Sequence, residues 1–236
     1  MTTDEAAPPI LGVLGGMGPA ATADFLARLA RLTPARRDQD HIPTIVYSDP
    51  QTPDRSDAIL GRGPSPLPAM LRGIDFLNQA GCALIAIPCN TAHYWYEELA
   101  ARSRVPILHI ADATIERLRG RPAHRVGVLA TDGTIQAGIY HRRLRAAGLE
   151  PLDLLQDAGD NPSAGDNPVM RGIRLMKGGD PAGARESLEA GAKELVNRGA
   201  DALVAGCTDV SAALAGASML AGVPLLDAAT CLVEAS

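Results

Sequence analysis

The segment GCALIAIPCNT from Gly81 returns as GADALVAGCTD from Gly199, with eight residues from glycine to cysteine in both. Two further anchors fall in the same order. GVLGGMG from Gly12 and GVLATDG from Gly127 share Gly-Val-Leu and a glycine six residues on, and sixteen residues beyond each cysteine comes Val-Pro, at Val105-Pro106 and Val223-Pro224. Any α/β chain repeats strand and helix units, but that alone does not put a cysteine at one strand-end position twice. A chain written twice on one plan is expected to fold as two similar α/β lobes about a pseudo-two-fold axis, residues 1–115 carrying Cys89 and residues 116–236 carrying Cys207. The cleft lies between them, and the C-terminal segment is a candidate to pack back on the first lobe.

Short β-rich runs alternate with helix-period segments, at Ile10 to Leu14, Thr44 to Tyr47, Ala83 to Ile87, Ile107 to His109, Arg125 to Leu129, Ala202 to Ala205 and Pro224 to Leu226. That alternation predicts parallel strands joined by crossover helices, which flank the sheets. Gly18-Pro19 and Asp180-Pro181 place a proline at a helix first turn, and Gly81, Gly148 and Gly199 sit where helices should end. In open parallel sheets, ligands bind beyond the carboxyl ends of the strands, where both Cys89 and Cys207 fall.

Bulk properties exclude several classes. A net charge of −5 and only 3% aromatic residues argue against nucleic-acid binding, which depends on clustered Lys and Arg and on stacking platforms. No apolar stretch approaches the roughly 18 residues of a membrane span. The opening, Met1 to Pro9, carries Asp4 and Glu5 and does not read as a signal peptide. Cys82, Cys89, Cys207 and Cys231 show neither CxxC spacing nor disulfide density, so free thiols and a cytoplasmic setting are expected.

Each of Cys89 and Cys207 ends a predicted strand and precedes a predicted helix. Helix N-terminal N–H groups lower a thiol pKa from about 8.5, where only about 3% is thiolate at pH 7. One thiolate on one face of a bound carbon and one thiol on the other form a base and acid pair that inverts a stereocentre. Such groups supply about 10²–10⁴-fold each, so the site must also stabilise charge spreading into a substrate carboxylate. Backbone N–H groups after each cysteine, with Asn90, Thr91 and Thr208, suit that task. The glycine run at Gly16 and Met17 lets the backbone approach a ligand.

With LGGMGPAATADF near the start, PQTPDRSDAIL from Pro50, PCNTAH from Pro88 and GCTD from Gly206, the chain resembles the cofactor-independent aspartate/glutamate racemase family over nearly its whole length. The resemblance implies a racemase free of pyridoxal phosphate, with catalytic cysteines at Cys89 and Cys207, assembled as a homodimer. Arg55 resembles the arginine that binds a substrate carboxylate, and Lys177 a lysine of similar purpose. Arg55 lies in a polar stretch, Pro50 to Pro68, read as a loop long enough to act as a lid. An exposed arginine without a ligand is the bland alternative. Asp209 stands where the family pattern commonly has Glu, one methylene shorter, and the following VSAALAGAS lacks the usual apolar-Pro continuation.

His93, four residues after Cys89, could be one leg of a metal site with Cys207, but no further ligand cluster is visible, so no metal is expected and His93 is assigned to substrate orientation or to polarising Cys89. GVLGGMG is not GxGxxG. Lys177 and Lys193 are the only lysines, neither in a pyridoxal-phosphate context. A cysteine hydrolase using His93 with Asp112 or Glu97 leaves the second cysteine unexplained. Cys82 and Cys231 read as buried small hydrophobes. The expected activity is racemisation of an acidic amino acid, aspartate before glutamate. Related carbon-acid enzymes of hydantoin racemase or maleate isomerase type, and a silent dicarboxylate-binding protein, are the alternatives; the paired cysteines argue against malonate decarboxylation, which needs only one proton donor.

Overall fold

The computed structural model describes residues 8–155 and 167–236; Asp4 and Glu5 lie outside them. In chain order the strands are β1 (Leu11–Gly15), β2 (Thr44–Ser48), β3 (Leu84–Ala86), β4 (Arg125–Leu129), β5 (Glu150–Leu152), β6 (Ala202–Ala205), β7 (Met219–Leu220) and β8 (Val223–Asp227). The α-helices are α1 (Pro19–Leu32), α2 (Arg55–Ile59), α3 (Leu67–Gln79), α4 (Tyr96–Arg102), α5 (Ile110–Leu118), α6 (Asp132–Gln136), α7 (Ile139–Ala146), α8 (Pro168–Lys177), α9 (Pro181–Asn197), α10 (Thr208–Ala213) and α11 (Ala228–Ala235).

One sheet has the order β2-β1-β3 and the other β5-β4-β6-β8-β7, parallel except for the β7–β8 hairpin. The repeat is visible in that order: β1 and β4 are each flanked on one side by β2 or β5 and on the other by β3 or β6, the strands that lead to the cysteines. Strands β1 and β4 are buried on both faces, as LGVLG and RVGVL demand.

The predicted strand Ile107–His109 shrinks to a single parallel bridge, Ile85 to Ile107. Pro106 has no N–H to donate. Two hydrogen bonds, Ile85 N to Pro106 O at 3.0 Å and Leu108 N to Ile85 O at 2.8 Å, complete the contact. His109 then caps α5 by accepting from Ala111 N at 3.2 Å. Two strands lie outside the predicted set: β5, an edge strand that tolerates Pro151, and the two-residue β7.

The helix punctuation follows the sequence. Asp180 caps α9 by accepting from Gly183 N at 2.9 Å, with Pro181 in its first turn. Gly81, Gly148 and Gly199 have φ of 74°, 78° and 97°, the left-handed conformation that closes a helix.

Two apolar clusters each stay within one half, in keeping with two lobes, but the core is also joined across the repeat. One apolar cluster unites Val13, Phe25 and Leu29 of the first half with Val128, Tyr140 and Leu232 of the second. Helix α11 packs on α5 and α1, so the last helix described covers elements of the first half.

Candidate active site

Strand β6 is buried throughout and leads through Gly206 to Cys207, the N-cap of α10. A Cβ on Gly206 would lie 3.0 Å from Tyr140 Cε2 and 3.3 Å from Ala130 Cβ, so only glycine lets the strand turn here without displacing that wall. Cys89 comes three residues beyond β3, with its N–H bonded to Ile87 O at 2.8 Å, and precedes a short 3₁₀ helix over Thr91–Trp95. Both cysteines are buried, and both line one cavity of about 450 Å³.

The helix-start argument fails for Cys207. Burial, seconded by the Asp209 carboxylate, pushes its pKa up to about 12, against the opposing pull of the α10 N–H groups and Lys177. A helix of only six residues does not outweigh removal from water. Cys207 Sγ lies 3.8 Å from Asp209 Oδ2, within reach of an S–H donation. For Cys89 the following turn is 3₁₀, not the α-helix start that was expected.

Beside the thiols, the cavity floor is sewn across the two halves. Asn90 Oδ1 accepts from the Tyr140 hydroxyl at 2.5 Å, which leaves the Asn90 amide N–H groups without a bond to any described residue. Thr91 and Thr134 share a hydrogen bond of 2.9 Å, and Thr131 Oγ1 donates to Thr134 Oγ1 at 3.0 Å. Asn90, Thr91, Thr131 and Thr208 all line the cavity.

Arg55 and Lys177 reach the same cavity from opposite sides of the chain. The stretch read as a loop from Pro50 to Pro68 holds α2, capped by Asp54, and Arg55 is its first residue. Arg55 Nη1 donates to Thr52 O at 3.2 Å and Pro53 O at 2.9 Å, while its Nε is buried with no partner among the described residues. Lys177 ends α8 with Nζ 4.0 Å from Asp209 Oδ2. Burial raises the Asp209 pKa, and Lys177 opposes the rise.

Two predicted contacts do not reach the wall. Gly16 is spent internally: with φ 86° its Cα packs against the Asp49 backbone, and its N–H donates to Thr22 Oγ1 at 2.9 Å. Met17 does line the cavity. His93 is buried behind Cys89, where Nδ1–H donates to Cys89 O at 2.9 Å and Nε2 accepts from Ile110 N at 3.2 Å. With both nitrogens committed it supports the cysteine loop from behind, and it has none free for substrate or metal. Burial lowers its pKa to about 4, so the ring is neutral near pH 7. The sequence reading missed Asp24, Asp54, Thr131 and Met176 on the wall. Thr131 alone carried a signal, since it sits in the second half's counterpart of the Gly12 glycine run.

A family model described as Asp/Glu/Hydantoin racemase matches residues 14–236. The chain belongs to that family. Broad specificity amino-acid racemase RacX of Bacillus subtilis (strain 168) is 31% identical over 233 residues, 96% of either chain. The Picrophilus torridus aspartate racemase superposes with a TM-score of 0.82 at 32% identity, covering 96% of this chain and 92% of that one. Glutamate racemase from Campylobacter jejuni subsp. jejuni shares the fold at a TM-score of 0.62 and 20% identity, covering 95% of this chain and 83% of that one. The protein is thus an Asp/Glu/hydantoin racemase family isomerase with an α/β fold of parallel sheets flanked by helices. Among the described residues, no helix of this family member is long and apolar enough to cross a membrane.

Proposed function

We propose that this racemase interconverts L- and D-aspartate, and secondarily glutamate, by proton transfer between two cysteines without pyridoxal phosphate or metal. One observation carries the reading: Cys89 and Cys207, from equivalent positions of the two halves, line one cavity together with Arg55 and Lys177. Cys207, held protonated by burial and by Asp209, starts as the proton donor. In that direction Cys89, as thiolate, takes the α-proton. The C–H electron pair moves into the α-carboxylate, and Cys207 delivers its proton to the opposite face. The Asn90 amide and the Thr91 and Thr208 groups stabilise the charge that develops on the carboxylate. Arg55 lines the cavity with its guanidinium held by Thr52 O and Pro53 O through Nη1, which suits a charge-assisted contact to a substrate carboxylate. In the reverse direction the thiols exchange roles.

A second reading is racemisation of other amino acids. Asp24, Asp54 and Asp209 stand on the wall beside Arg55 and Lys177, so the site offers partners to cationic as well as anionic side chains. The relative named for broad specificity supports it.

Proton NMR in D₂O with L-aspartate, L-glutamate and a panel of other L-amino acids, without added cofactor, followed by chiral analysis, tests both readings. Deuterium at the α-carbon together with the D-enantiomer is expected for aspartate. A faster reaction with a basic or neutral amino acid favours the second reading, and no exchange with any member refutes both. Cys89→Ala and Cys207→Ala are each expected to abolish inversion, and full racemase activity in either variant rules out the two-thiol mechanism. Assembly as a homodimer in the cytoplasm belongs to the same proposal, and light scattering of the purified protein tests the dimer.

A further inference from the structure

We propose that Asp227 is a positioning residue for the reaction: with Arg28 it clamps α1 to α10, and so sets where Cys207 stands against the facing wall of the cavity. The inference rests on the two-thiol reading above.

Asp227 closes β8 and faces donors from three helices. Its Oδ1 accepts from Ser211 Oγ at 3.0 Å, Ala229 N at 2.9 Å and Thr230 N at 3.2 Å. Its Oδ2 accepts from Arg28 Nη1 at 2.7 Å. The same Nη1 reaches Thr230 Oγ1 at 2.7 Å, and Arg28 Nε reaches Asp24 Oδ2 at 2.7 Å.

Each arm of this clamp ends at the catalytic cavity. Ser211 is buried one turn into the helix that Cys207 caps, and its backbone N–H donates to the Cys207 carbonyl at 3.0 Å. Arg28 lies on α1, whose first turns place Pro19, Ala20, Ala21 and Asp24 on the cavity wall. One carboxylate therefore joins the support of the second-half thiol to a wall contributed by the first half.

Capping alone does not account for this arrangement. The two N–H bonds that cap α11 use Oδ1 only, and a neutral acceptor would serve them as well. The apolar contacts of α1 with α11 need no ion. Yet the Arg28 side chain is only 9% exposed, and removing a guanidinium from water is unfavourable unless its partners are fixed. A buried, oriented ion pair on this path fits a demand for exact placement of the thiol.

The test compares hydrogen exchange with inversion. Asp227→Asn keeps an acceptor for Ala229, Thr230 and Ser211 and removes the charge that holds Arg28. In the wild type, abstraction from one face leads to protonation on the other. With α10 displaced from α1, Cys89 still abstracts from its own face while delivery by Cys207 fails. Racemisation is then expected to fall by up to about 100-fold. The ratio of α-deuterium incorporation to inversion in D₂O should rise when the reaction starts from one enantiomer and not from the other. A merely structural role lowers both processes in proportion and leaves that ratio unchanged, which overturns the inference. Should Asp227→Asn fail to fold, Ser211→Ala removes only the link to α10 and must give the same one-sided rise. A wild-type enzyme that exchanges no amino acid refutes the two-thiol reading itself. An unchanged ratio in a variant of an active wild type refutes the clamp alone.

Discussion

At the level of single residues, the two thiols are alike in sequence and unlike in setting. Burial holds the pKa of Cys207 high and the Asp209 charge adds to it, so Asp209→Asn is expected to move the Cys207 titration to lower pH. Thiolate absorbance, read as the difference between Asp209→Asn and Asp209→Asn/Cys207→Ser, checks this, and an unmoved or raised midpoint contradicts it. His93 has a different task. Its pKa falls from 6.5 to about 4 on burial, so the stabilisation it carries is complete above pH 6.5 and is lost as the pH falls toward 4. The shift corresponds to about 3 kcal/mol. The stability advantage of wild type over His93→Gln should therefore shrink by that order between pH 6.5 and 4 in urea melts, and a constant gap refutes the assignment. These settings explain what sequence alone could and could not show. That Cys89 and Cys207 would share one cavity was legible because the repeat pairs them, and Arg55 and Lys177 were added to it by the family resemblance. The role of His93 was not legible, because its partner Ile110 is a backbone N–H seventeen residues away, invisible to any pattern of side chains.

Among the elements, α8 packs along α9, and α8 ends in Lys177. Gly172 makes the approach possible: a Cβ there would meet Leu188 Cγ at 2.7 Å and the Ala184 carbonyl oxygen at 3.0 Å. The carbonyl is backbone and cannot swing aside, so α8 must lift. Gly172→Ala should lower stability by about 1–3 kcal/mol in urea melts and raise KM through Lys177, with the far-UV spectrum retained. An unchanged stability and KM would show that α8 has slack. Most strands were legible because their apolar runs are bounded by glycine and proline. Ile107–His109 was not, because its apolar composition hides the loss of a donor at Pro106. The proline-rich stretch after Pro50 concealed α2, a helix too short to show periodicity.

On the scale of the whole molecule, the sequence repeat predicts two lobes, and each half has its own sheet and its own apolar cluster, while a third cluster mixes side chains from both. The halves are therefore expected to unfold together. Trp95, the only tryptophan, sits in a cluster made from first-half residues, whereas far-UV circular dichroism reports every helix. Coincident denaturation midpoints from the two signals are expected, and separated midpoints would mean that the halves melt independently. The mixing depends on α11 crossing back to α1, a long-range contact that the repeat itself does not encode. That crossing also bears on synthesis. Helix α1 leaves the ribosome roughly 200 residues before α11, which at roughly 5–20 residues per second is a wait of about 10–40 s. Throughout that interval Phe25 and Leu29 lack the helix that finally covers them, so the nascent first half presents a sticky face to the cell until translation has passed residue 235.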